Sequence, residues 1–245
     1  MRAMNRLTAV EFKLFLRDPA AYFWTLLFPV VLVVIIGSIP SSREFKAEIG
    51  QRAIDSYTPV TVVLAFAMTG LFITPGYLVG YREKGILRRL STTPVGPARV
   101  LIAQLVVQIT VAIATTVLVL ATARLLWDVK LPSNPLGFVL TFLLSATAVL
   151  SIGLFVASVL KTTKAATGAG SMLFFPLMFF AGLYVPRDQM PAAVNRIGDF
   201  TPLGASVQAF GDVAKGHLPG TTALLVLVGY TVVFGVLAAR LFRWE

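Results

Sequence analysis

Side chains able to do acid–base, nucleophilic or metal chemistry are few in this 245-residue chain. There is no cysteine, which excludes thiolate nucleophiles, thiolate metal sites and disulfides. The one histidine, His217, stands where a polar stretch meets an apolar one, the place of an anchor rather than a catalyst. Asp188, Asp199 and Asp212 are irregularly spaced in a loop region, which fits solvated or helix-capping carboxylates better than a metal cluster. No GxxxxGK[ST] phosphate loop, HExxH or GxSxG occurs, so P-loop ATP hydrolysis, zinc peptidase and α/β-hydrolase chemistry fall away. Two residue sets remain. Gln104 and Gln108, one helical turn apart, put two amides on one face, where they need a partner or an aqueous path if they do not simply pack. Between Tyr81 and Leu90, Arg82, Glu83, Lys84, Gly85 and Arg88 alternate with Leu87 and Leu90, a charged and apolar mixture suited to meeting another protein.

The elements that position these residues follow from composition. The chain is 57% hydrophobic and 13% charged, with a mean hydropathy of +0.83. A soluble domain carries roughly a quarter charged residues. A helix crossing the hydrocarbon core needs about 20 mostly apolar residues. Six stretches free of Asp, Glu, Lys and Arg meet that need: 19–42, 56–81, 100–123, 131–160, 165–186 and 216–239. They predict an all-α membrane protein with six spans, at about 20–40, 58–80, 100–123, 136–160, 166–185 and 219–240. The first apolar run exceeds a signal-peptide core and follows a charged segment, so it is expected to be retained.

Six spans put both termini on one side. That side holds thirteen Lys and Arg, the other eight over longer loops. Basic residues gather at cytoplasmic span ends, so both termini are expected inside, in a cell (inner) membrane. Nearly all of the net charge of +10 then faces cytoplasmic headgroups. Nucleic acid is not an expected partner; the lipid bilayer is.

Residues 1–18 read as a separate amphipathic helix. Arg2, Arg6, Lys13 and Arg17 fall within a sector of about 60°, beside apolar Val10, Phe12, Leu14 and Leu16. This fits a helix lying in the headgroup layer, or a basic flank that fixes topology. Asp18-Pro19 is expected to end it. The loop at 82–90 reads as a short docking helix or as a solvated charged turn. From Tyr184 to Leu218, apolar residues alternate with Pro186, Pro191 and Pro202; short helices resting in the outer leaflet, or dipping in and returning, before the last span fit that pattern. The spans hold no ionisable residue at mid-depth, which argues against a carrier driven by protons or sodium. Ser145, Gly153, Gly168 and Ser171 offer small surfaces for helix packing.

Four segments resemble the ABC-2 family of ATP-binding-cassette permeases, the type-2 exporters of drugs, lipids and polysaccharides. FLRDPAAYFWTLLFPV is similar to the family's connecting helix running into span 1. YREKGILRRLSTTPVGPARVLIAQLV is similar to its charged loop, through Glu83, Gly85, Leu87, Leu90 and Thr93-Pro94. FFAGLYVPRDQMPAAVNRIGDFTPLGASVQAF resembles its Gly, Pro and Met-Pro pattern before a (T/N)-Pro-Leu turn, and AARLFRWE its tail. One departure is visible: many members carry an Arg beyond the Pro-Leu turn, where this chain has Gln208. The resemblance implies residues 19–245 as an ABC transmembrane type-2 domain, acting as a permease subunit rather than an enzyme. It implies a homodimer or sibling heterodimer of permeases and two copies of a separate ATPase, which would carry ATP and Mg; this chain would hold no cofactor. It further implies that Arg82 to Leu90 couple to the ATPase. Gly85 would allow close approach, and Leu87 and Leu90 would fill a groove. The outer segment, with Gly182, Pro186, Met190, Pro191 and Pro202, would act as a gate. Cargo is expected to be hydrophobic or amphiphilic. A self-sufficient carrier, and an anchor or sensor subunit without transport, are the competing readings.

Overall fold

The computed structural model describes residues 2–47, 50–91 and 97–241. Six of its helices are long and apolar enough to cross a membrane: Pro19–Ser38, Ala53–Glu83, Arg99–Trp127, Pro135–Val159, Thr163–Ala181 and Thr221–Leu241, numbered here as spans 1 to 6. The chain is therefore an all-α multi-pass membrane protein. Among the described residues the strands are two dipeptides, Phe45–Lys46 and Gln51–Arg52, paired antiparallel between spans 1 and 2 with Phe45 opposite Arg52.

The N-terminal helix runs Arg2–Arg17 and stops where Asp18-Pro19 requires. Asp18 then starts span 1, its carboxylate accepting a hydrogen bond from the Ala21 amide at 3.0 Å. Asn134 and Thr162 start spans 4 and 5 in the same way, through the Gly137 and Ala165 amides.

Span 2 is the central post, the most buried of the six. Its 31 residues rise roughly 46 Å, more than the hydrocarbon thickness. It is not a regular α-helix throughout: Met68–Ile73 form a π-helical segment just ahead of Pro75, which has no amide hydrogen to donate. The Gly70 and Leu71 carbonyls of that segment fit against glycines of two other spans. A Cβ on Gly153 would lie 1.9 Å from the Gly70 oxygen, and one on Gly170 would lie 2.5 Å from the Leu71 oxygen. Gly153 thus serves the close packing its size suggested, whereas Gly168 faces open space and Gly170 does the work in span 5.

Span 1 carries a second π-helical segment, Phe23–Leu27. Its Thr25 carbonyl accepts from the buried Thr115 hydroxyl of span 3 at 3.0 Å. Span 6 packs along span 4, with Phe155 and Phe234 5.2 Å apart.

In the segment after span 5, for which the sequence left surface and dipping helices both open, the two helices differ. Helix Ala192–Asp199 exposes Ile197, and Phe200 just beyond it is exposed as well. Helix Pro202–Ala214 instead buries Leu203, Ala205, Ala209, Phe210 and Val213, and packs against spans 2, 4, 5 and 6. Its small residues let it enter between spans, and its backbone bonds are closed within the helix.

Candidate functional site

Span 2 ends in Tyr81-Arg82-Glu83 and turns at Gly85, whose φ of +65° is the left-handed region open to glycine. A Cβ there would meet nothing within 4 Å, so within this chain the glycine serves the turn rather than a close approach. A one-and-a-half-turn helix, Ile86–Ser91, follows.

The loop residues divide sharply. The Arg82 guanidinium reaches the Ala157 and Leu160 carbonyls, the unpaired end of span 4. The Glu83 carboxylate reaches the first residue of span 5, accepting from the Thr163 amide at 3.1 Å and from the Thr163 hydroxyl. A cation at a helix C-terminus and an anion at a helix N-terminus each oppose the local backbone dipole. Two adjacent side chains therefore clip the end of span 2 to the short link between spans 4 and 5.

This changes the expectation that Arg82 and Glu83 are spent on a partner, since both have work inside the chain. Leu87 is also corrected: it is fully buried, on a helix packed against span 2 and span 3, and does not project outward. Lys84, Arg88 and Arg89 are exposed. The Leu90 side chain lies outside the described residues.

The N-terminal helix is fastened to the same end of span 2. The Tyr81 hydroxyl donates to Glu11 Oε2 at 2.7 Å, and the Tyr77 hydroxyl donates to Asp18 Oδ2 at 3.2 Å. Tyrosines one turn apart on span 2 thus meet one acid on the N-terminal helix and one at the junction just after it. Glu11 is only 6% exposed, and burial holds its carboxyl above the usual carboxylate range, with the Tyr81 hydrogen bond opposing that rise. Phe15 packs beside it with Ala21, Val107 and Val111. Arg6, Lys13 and Arg17 point away, flanked by exposed Val10, Phe12, Leu14 and Leu16; the Arg2 side chain is outside the described residues. Basic spacing identified the outer stripe, but nothing in the sequence marked the two acid–tyrosine pairs, because their partners are 59 and 70 positions apart.

Gln104 and Gln108 lie on the buried face of span 3. The Gln104 Oε1 and both amide atoms of Gln108 have no hydrogen-bond partner among the described residues. In this chain they sit inside the packing rather than along an open path.

At the opposite end, Gly182 closes span 5 at φ +94°. Pro186, Pro191 and Pro202 each mark a helix start, and Met190 is buried. The organiser of this end is Arg187. Its guanidinium binds the Gly204 carbonyl at 2.9 Å, the Asn195 carbonyl at 3.2 Å and the Asp199 carboxylate. Asp212 Oδ2 accepts from the Gly220 amide at 3.0 Å, ahead of span 6. Asp199 is thus ion-paired rather than solvated or capping, and Asp212 holds the amide ahead of span 6.

Six spans, a centrally buried span 2 and a charged end clipped to three other helices define a multi-pass helical membrane protein. The ABC-2 type transporter family profile matches residues 2–213, and the chain belongs to that family. It is 20% identical over 245 residues to the putative transport permease YvfS of Bacillus subtilis (strain 168), covering 99% of this chain and 98% of that protein.

Proposed function

We propose that this chain is the membrane-spanning subunit of an ATP-driven exporter, moving a hydrophobic or amphiphilic cargo outward with ATP and Mg held by a separate ATPase. Two permease chains and two ATPases make up the working unit, with the charged end facing the cytoplasm. The observation that carries this reading is the double clip at Arg82 and Glu83. A displacement imposed on the loop helix passes through the Gly85 turn into span 2. It also passes through Arg82 into span 4, through Glu83 into span 5, and through Tyr81 into the N-terminal helix. One push therefore moves four elements together, which a simple solvated turn would not require. Exposed Lys84, Arg88 and Arg89 supply the basic contact for the ATPase, while Gly182 to Pro202 form the outer gate. The single chain hydrolyses nothing.

The test separates docking from transmission. Lys84→Glu and Arg88→Glu are expected to lower co-purification of the ATPase with normal permease levels. Glu83→Ala is expected to keep co-purification while lowering cargo movement per ATP hydrolysed in proteoliposomes. Full association with both charge reversals, together with undiminished transport by Glu83→Ala, would overturn the reading.

A further inference from the structure

At the end of the bundle opposite the charged loop lies a cavity of about 710 Å³, within the size range of small-molecule sites. Its lower wall is apolar and comes from four separate elements: Val62 of span 2, Leu120 of span 3, Phe138 of span 4 and Phe210 of the embedded helix Pro202–Ala214. Its rim is charged, and most of that charge is already committed. Arg52 is forked onto Asp55, with two contacts of 2.8 Å, and also donates to the Trp127 carbonyl at 2.9 Å. Asp128 pairs with Arg124 at 2.5 Å. What remains is Lys130, from the link between spans 3 and 4, and Lys215, from the end of the embedded helix. Both line the cavity and are exposed, and neither ammonium has an ion-pair partner among the described residues. A smaller cavity of about 220 Å³ shares Asp55 and Lys215 but also carries Asp188 and Asp212, so an anion is favoured on the Lys130 side.

We propose that this cavity binds an amphiphile with one anionic head, the head between Lys130 and Lys215 and the apolar part against Phe138, Phe210, Val62 and Leu120. An apolar floor alone would accept any hydrophobic molecule. Two uncompensated ammonium groups at its mouth select sign, and their contribution is weakened by salt. That the bound molecule is cargo on its way out rests on the transport reading; the site itself does not. Anionic heads on apolar chains come either as free single-chain carboxylates or as acidic lipids of the leaflet.

The experiment uses the full chain, without ATPase, in phosphatidylcholine nanodiscs, with empty discs as the blank. Calorimetric titration with dodecanoate is expected to show saturable binding, weakening as salt rises, with dodecyltrimethylammonium and dodecanol bound at least about fivefold more weakly. Lys130→Gln and Lys215→Gln should each weaken dodecanoate up to about fivefold, while Lys161→Gln, at the far end, changes nothing. Repeating the titration with phosphatidylglycerol in the discs identifies the source. Competition assigns the site to a leaflet lipid and its absence to a free amphiphile, and either result supports the anionic site. Equal binding of the three head groups, or unchanged binding in both lysine variants, overturns the proposal and leaves the transport reading standing. Anion binding with no transport of any anionic amphiphile by the permease–ATPase pair would instead keep the site and remove its role as a cargo station.

Discussion

The acid–tyrosine pair Glu11–Tyr81 shows how one residue sets the behaviour of its surroundings. A carboxyl held above its usual range by burial favours the packed state in its protonated form. Its contribution is complete below the pKa of the unfolded chain and is lost as pH rises through the higher folded value. Docking of the N-terminal helix should therefore loosen as pH rises through that value. Glu11→Gln removes the charge and should remove this dependence, leaving the helix as protected from limited proteolysis at high pH as the parent is at low pH. A Glu11→Gln profile that still follows pH would refute the assignment. Tyr81→Phe leaves the buried carboxyl without its donor, and a loss of about 1–3 kcal/mol is expected in denaturant unfolding. Leu87 gives the complementary lesson. Leu87→Asp buries a charge in a packed site, so it should reduce the amount of folded permease rather than weaken docking alone.

At the scale of elements, the central question is why span 2 can interrupt its α-helical pattern inside a membrane. The π-helical segment and Pro75 disturb the regular backbone bonding, and close packing against Gly153 and Gly170 keeps lipid away from it. Gly153→Ala would drive a methyl into the Gly70 carbonyl and should cost about 1–3 kcal/mol through forced displacement of span 2. Gly168→Ala faces open space and should be neutral or slightly stabilising in the same thermal assay. If the two variants melt alike, span 2 does not depend on that contact. The clip between Glu83 and Thr163 is likewise a property of elements. Glu83→Ala and Thr163→Val should be non-additive in a double-mutant cycle, because each removes the same bond.

For the whole molecule, the basic-residue bias predicts which end faces which compartment. The absence of native cysteine makes the measurement direct. Cysteines at Ala47 and Ser133 should react with an impermeant thiol reagent added outside intact cells, and cysteines at Lys84 and Lys161 should react only after permeabilisation. The reverse pattern would invert the molecule and move the charged loop away from any cytoplasmic ATPase. The two ends of the fold are unlike. One gathers spans 2, 4 and 5 and the N-terminal helix through Arg82, Glu83 and Tyr81. The other encloses a cavity under an embedded helix held by Arg187.

The sequence by itself determined the solvent, the number of spans and the break after the N-terminal helix at Asp18-Pro19. Charge cannot enter hydrocarbon, an apolar run of fixed length can cross it, and a proline disfavours helix in the residue before it. It also marked the loop at Arg82 to Leu90 as unusual and, by resemblance, pointed to the family. Only the tertiary structure decided what those residues touch. The pairing of Glu83 with Thr163 joins positions 80 apart, and that of Arg82 with Leu160 joins positions 78 apart. The apolar alternation of 184–218 reads the same whether a helix lies on the surface or enters the bundle. The choice fell to small residues, Ala205 and Ala209, which cluster with Ala148 of span 4 and Ala223 and Leu227 of span 6. Local rules act along a few residues of chain, whereas clips, cavities and embedded helices depend on which distant surfaces fit together. That fit is a property of the packed molecule alone.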